Sequence, residues 1–87
     1  MERTLSLVIA TPDKLLVDDD VEEVIAPGTE GYFGVLFGHC YFITTLKAGA
    51  VQYRRGGQME SLEIQGGFAD VQPNGVTILL AEAKPSR

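Results

Sequence analysis

Eighty-seven residues, 45% hydrophobic and 22% charged, describe one globular domain and exclude a disordered chain. Seven basic residues against twelve acidic ones give a net charge of −5, which argues against nucleic acid and anionic membrane surfaces as partners. A single cysteine, Cys40, and a single histidine, His39, exclude an internal disulfide and a multi-cysteine zinc site.

In chain order, the first strand runs from Leu5 to Ala10, with Leu5, Leu7 and Ile9 on one face. Thr11-Pro12-Asp13 ends it, because Pro12 has no N–H for a ladder and its neighbours favour turns. Lys14 to Val17 predicts a second short strand. Asp18-Asp19-Asp20 predicts a charged turn, since three adjacent acids resist burial. Val21 to Ala26 predicts a third strand with apolar residues on both faces, the mark of a bulge or of two half-buried faces. Pro27 to Gly31 predicts a loop. Glycines 28, 31, 34 and 38 make this stretch of chain too irregular for a helix.

Tyr41 to Lys47 is rich in β-branched and aromatic residues and predicts a strand. Ala48-Gly49 turns the chain, and Val51 and Tyr53 face inward. Arg55-Gly56-Gly57-Gln58 predicts a hairpin turn, with Leu62 and Ile64 inward on the return strand. Gly66-Gly67 breaks or bulges the sheet, and Phe68 to Gln72 continues it. Pro73-Asn74-Gly75 is a tight turn before the last inward row of Val76, Ile78 and Leu80. Ala81 to Arg87 reads as a frayed tail, or as a chain cut short. No segment sustains a 3.6-residue period. The expected fold is all-β: a β-sandwich of nine or ten short strands in two packed sheets, forming a single domain over residues 1–87.

Signatures of catalysis or ligand binding are mostly missing. No Gly-Lys pair exists for a phosphate loop, and Gly28-x-x-Gly31-x-x-Gly34 does not fit the dinucleotide fingerprint. His39-Cys40 invites a nucleophile and its base. On a strand the two side chains would diverge; in a loop they could converge, but no third orienting group stands out. The acids from Asp18 to Glu23 lack the glycine of a calcium loop and read as a solvated sheet edge. No catalytic residue, cofactor or metal is therefore expected. No run approaches the roughly eighteen apolar residues of a membrane span, so no direct membrane insertion is expected either. The start, Met1-Glu2-Arg3-Thr4, lacks the basic region and apolar block of a signal peptide. Lys47, Arg54 and Arg55 read as surface charges. Tyr32, Phe33, Leu36, Phe37, Tyr41 and Phe42 are dense for so short a stretch. Some of them must be core, and an exposed Tyr32 or Phe37 would belong to a partner-binding patch. A binding or structural role is favoured over an enzyme.

The segment Ala26-Pro27-Gly28-Thr29-Glu30-Gly31-Tyr32-Phe33-Gly34-Val35-Leu36-Phe37-Gly38-His39 resembles the signature of the epsilon subunit of F-type ATP synthase. Leu7-x-Ile9-x-Thr11-Pro12, Thr45-Leu46-Lys47-Ala48-Gly49-Ala50-Val51, Gly66-Gly67-Phe68-Ala69-Asp70-Val71 and Asn74-Gly75-Val76-Thr77-Ile78-Leu79 match further family stretches in the same order. The resemblance implies the ten-stranded N-terminal β-sandwich of that subunit. It implies a rotor place in the central stalk, between the gamma subunit and the ring of c subunits, with ATP turned over elsewhere. The chain would then be peripheral, on the cytoplasmic face of a bacterial inner membrane. In the family, the loop matching Pro27, Gly28, Thr29, Glu30, Gly31 and Tyr32 faces the c ring, and positions matching Thr11 and His39 lie toward gamma.

Phe37 stands where the family usually has proline, Cys40-Tyr41-Phe42 where Ala-Pro-Leu is common, and Tyr32 where a polar or acidic residue is frequent. The family continues into a two-helix C-terminal domain, and this sequence stops at Arg87. The helical inhibitory arm and its nucleotide site are thus expected to be absent. Alone, the domain is expected to be a monomer or weak dimer. Two other classes stay open on the residues themselves. A carbohydrate- or ligand-binding sandwich requires a concave face lined with aromatics. A small hydrolase requires His39 and Cys40 to converge in a pocket.

Overall fold

The computed structural model describes residues 4–38 and 41–80. Among them are nine strands: β1 (Leu5–Ala10), β2 (Leu15–Val21), β3 (Glu23–Gly28), β4 (Gly31–Val35), β5 (Phe42–Leu46), β6 (Gly49–Arg55), β7 (Gln58–Ile64), β8 (Gly67–Gln72) and β9 (Gly75–Leu80). Hydrogen bonding runs β2-β1-β9-β8-β5-β3-β6-β7, with β4 on the free side of β3. The chain thus forms two layers, β2-β1-β9-β8-β5 and β4-β3-β6-β7. They join where Gly28 of β3 pairs with Leu46 of β5. Every pairing is antiparallel except β1 with β9. The expected sandwich is present, with nine strands, its two layers continuous through this seam.

Alternation places the core. Leu5, Leu7 and Ile9 of β1, Val71 of β8, and Val76 and Ile78 of β9 point inward, where they meet Val24, Val35, Val51 and Ile64 of the other layer. All are at most 2% exposed. Each such side chain contributes about 1.5–3 kcal/mol by leaving water. Leu62 and Leu80, expected inside, are partly buried at the core margin.

Two expectations are corrected. Asp18-Asp19-Asp20 is not a turn but lies inside β2, opposite Val8, Leu7 and Ser6 of β1. An edge strand can carry adjacent acids, because solvent reaches its side chains and their charge deters pairing with another chain. The expected strand from Val21 to Ala26 is split at Glu22, where the chain leaves one layer and enters the other. The inward side changes at that crossing, so both Val21 and Val24 are buried. This accounts for the apolar residues on both faces. Glu22 is pinned there: its N–H donates to the Arg54 carbonyl at 2.8 Å, and its carboxylate accepts from the Gly57 N–H at 3.4 Å.

The Arg55-Gly56-Gly57-Gln58 turn is the expected hairpin. Gly56 and Gly57 have φ of +59° and +84°, the left-handed pair that matches strand twist in a two-residue loop. Beside it, Arg54 pairs with Glu23, and Arg55 pairs with Asp19 of the opposite layer and with Glu60. The hydrogen bond to Glu23, then its charge, raises Arg54 above the ordinary guanidinium range, and Asp19 does the same for Arg55. Both were already charged at neutral pH, so these pairs orient the hairpin without responding to pH there.

Candidate functional site

The strand directions gather four connections at one end of the sandwich: Thr11 to Lys14, Thr29-Glu30, Lys47-Ala48 and Gln65-Gly66. The segment expected as a loop, Pro27 to Gly31, is instead the tip of a β3–β4 hairpin, with Gly28 paired to Gly31 across Thr29-Glu30. Pro27 and Gly28 are buried, while Thr29, Glu30, Gly31 and Tyr32 are exposed. Glycine spacing alone signals irregularity here. Cross-strand pairing to β3 overrides the weak local preference of Gly31 and Gly34.

The tip is tied to its neighbours. Thr29 donates its N–H to the Thr45 carbonyl at 3.1 Å, and the two threonine hydroxyls lie 3.1 Å apart. The Lys47 N–H donates to the Pro27 carbonyl at 2.9 Å. The Ala50 N–H donates to the Tyr32 hydroxyl at 3.4 Å. A Cβ at position 49 would lie 2.7 Å from that hydroxyl oxygen and 3.0 Å from the Pro27 Cβ, so only glycine lets the tyrosine lie so close to this turn. The hairpin therefore presents Glu30 from a braced support.

Thr11 is 9% exposed. Its hydroxyl accepts the N–H groups of Asp13 at 3.2 Å and Lys14 at 3.1 Å, and its own N–H donates to the Lys14 carbonyl at 2.8 Å. Its polar atoms thus shape the first turn. Thr11→Ala is expected to cost about 1 kcal/mol and to lower Tm by about 4–8 °C, with Thr11→Ser close to the parent; thermal unfolding checks both. His39 and Cys40 lie outside the described residues. Their neighbours Gly38 and Tyr41 are at the end of the layer opposite Thr11, with the Gly38 N–H donating to the Pro73 carbonyl at 2.7 Å.

The aromatic-rich segment divides. Phe33 and Phe42 are half-buried and meet edge to face, centroids 5.4 Å apart at 73°. They floor a shallow groove between β4 and β5, flanked by Tyr32 and Ile43. The two rings are engaged with each other, which does not suit the open stacking face a sugar ring needs. Tyr32, Leu36, Phe37 and Tyr41 are exposed, as a partner patch requires. Sequence reasoning misses a second set, Phe68, Leu79 and Leu15, all exposed on the outside of the β2-β1-β9-β8-β5 layer. Their signal is present: each is a large apolar residue next in sequence to an inward position or a turn. Among the described residues no group of three His, Cys, Asp or Glu could hold a metal ion.

The arrangement defines a two-layer β-sandwich with a braced hairpin tip at one end and exposed apolar side chains on its outer surface. The family model for the β-sandwich domain of ATP synthase Delta/Epsilon chains matches residues 4–86, and the chain belongs to that family. It is 43% identical over 84 residues to the ATP synthase epsilon chain of Nitratidesulfovibrio vulgaris (strain DSM 19637 / Miyazaki F), covering 97% of this chain and 63% of that protein. It is 44% identical over 81 residues to the epsilon chain of Gloeothece citriformis, covering 93% and 59%. The chain thus spans about three-fifths of the length of these relatives. Among solved structures, a chain of the Euglena gracilis mitochondrial ATP synthase, in a structure of OSCP, F1 and the c-ring, superposes with a TM-score of 0.86 at 31% identity, covering 98% of this chain and 55% of that one. A chain from the central stalk and c-ring of the Tetrahymena thermophila enzyme shares the fold, with a TM-score of 0.76 at 15% identity, covering 93% and 66%.

Proposed function

We propose that this chain is a non-catalytic rotor subunit of an F-type ATP synthase. It links the gamma subunit to the c ring and helps couple ion flow to ATP synthesis. The carrying observation is the family match along residues 4–86. The braced tip adds a physical reason: a hairpin held by β5 and by the β5–β6 turn can pass force to a neighbour without absorbing it as bending. In this reading Pro27, Gly28, Thr29, Glu30, Gly31 and Tyr32 face the polar loops of the c ring. Thr11 and His39 lie toward gamma, Thr11 acting through the turn it shapes. The chain works at the cytoplasmic face of a bacterial inner membrane without entering it. Alone it is a monomer or weak dimer.

The test is binding of the full chain to purified gamma and to a gamma–c-ring subcomplex. Glu30→Lys is expected to weaken attachment to the subcomplex several-fold and to leave binding to gamma alone unchanged. Failure of the folded chain to bind either would end the stalk reading. An equal effect of Glu30→Lys on both would move the ring contact away from the tip.

A further inference from the structure

Asn74 is the one asparagine of the chain, and a glycine follows it. The pair closes the turn between β8 and β9, where Asn74 is exposed. Gly75 offers its amide nitrogen without a Cβ to shield it. Packing favours that glycine: a Cβ there would lie 3.2 Å from the Ser6 carbonyl oxygen of the neighbouring β1. Ser6, Gln72 and Thr77 line an open polar hollow beside the pair, so water reaches it.

The same turn carries two ties. The Asn74 carbonyl accepts the Ser6 N–H at 3.0 Å, and the Pro73 carbonyl accepts the Gly38 N–H at 2.7 Å. It thus anchors both the start of β1 and the chain that follows β4.

We propose that Asn74 is a site of spontaneous deamidation and isomerisation in the folded chain. The Gly75 nitrogen, after losing its proton to water or hydroxide, attacks Cγ of Asn74. The new C–N bond closes a cyclic imide. The side-chain nitrogen takes up a proton and leaves as ammonia. Water then opens either carbonyl of the imide. One opening gives aspartate. The other routes the main chain through Cβ and Cγ and leaves the α-carboxylate free. Either product adds a negative charge to a chain already at −5. The isoaspartyl product also lengthens a two-residue turn by one main-chain carbon and takes the Asn74 carbonyl out of the backbone, so the tie to Ser6 loses its geometry. The free α-carboxylate is the group that a protein-isoaspartate carboxyl methyltransferase methylates, and a repair enzyme of that class is the partner this site takes.

The test incubates the full chain at neutral and mildly alkaline pH and follows it by peptide-mapping mass spectrometry. The fragment holding Asn74 is expected to gain the mass difference between O and NH as ammonia is released, faster at the higher pH. Methyl transfer by a protein-isoaspartate methyltransferase is expected to mark the same fragment. The aged chain is expected to melt about 4–8 °C lower, the shift that loss of one such hydrogen bond produces in a domain of this size. Asn74→Gln, whose imide ring would be larger and slower to close, is expected to keep both mass and Tm over the same interval. A folded chain that stays unmodified would overturn the proposal, and modification of the guanidinium-unfolded chain in parallel would trace the protection to the turn. Aspartate as the sole product, or a modified chain that melts like the fresh one, would overturn it as well. These readouts need no partner subunit, so they decide the proposal independently of the stalk reading.

Discussion

Leu7→Ala is expected to remove about 2–5 kcal/mol of stability. Leu7 is 0% exposed, in the centre of β1, between Asp19 of β2 and Val76 of β9 in the ladder. Truncation deletes its transfer free energy and leaves a cavity that strands bonded on both sides cannot collapse to fill. A domain of this size has a total stability of only about 4–13 kcal/mol. The loss should appear as a drop in Tm of roughly 10–25 °C. Val8→Ala, one residue along and half-buried on the outer face, should cost far less. Comparable losses for the two variants would mean that the two layers do not share one core.

Gly67→Ala is the second substitution with a large expected effect. A Cβ at this position would lie 2.4 Å from the Leu79 carbonyl oxygen and 3.1 Å from the Leu80 Cα. Both are backbone atoms of the partner strand, so no side chain can swing aside. The β8–β9 ladder would have to part where the chain enters β8, at a cost of about 1–3 kcal/mol or more. Gly34→Ala is the informative comparison. Its Cβ would meet nothing closer than 3.9 Å, so it should be neutral or slightly stabilising by restricting the unfolded chain. Denaturant unfolding of the pair gives the answer. Equal stability for the two variants would show that β8 and β9 do not approach closely at Gly67.

Much of the fold is legible in the sequence. The inward rows Leu5-Leu7-Ile9, Val51-Tyr53 and Val76-Ile78 follow from period-two alternation, and all are buried. The turns at Gly56-Gly57 and Pro73-Asn74 follow from residues suited to them. The ordered motifs from Leu7 to Leu79 are enough to suggest the family that residues 4–86 match. Motif picks out the Pro27–Tyr32 segment but not its hairpin form. Glycines at 28, 31 and 34 give no local strand signal, and β4 exists because β3 offers it a free edge.

Alternation, turn chemistry and motif order, properties of residues near one another in the chain, determined the all-β class, most of the core and the family. Tertiary structure alone decided the rest. It placed three aspartates in an edge strand, moved the chain between layers at Glu22, and set β1 parallel to β9. It also aligned Phe68, Leu79, Ala10 and Leu15 into one surface row. These features depend on which strand lies beside which. Strand neighbours are chosen by the combined burial of residues far apart in sequence, which no local pattern encodes.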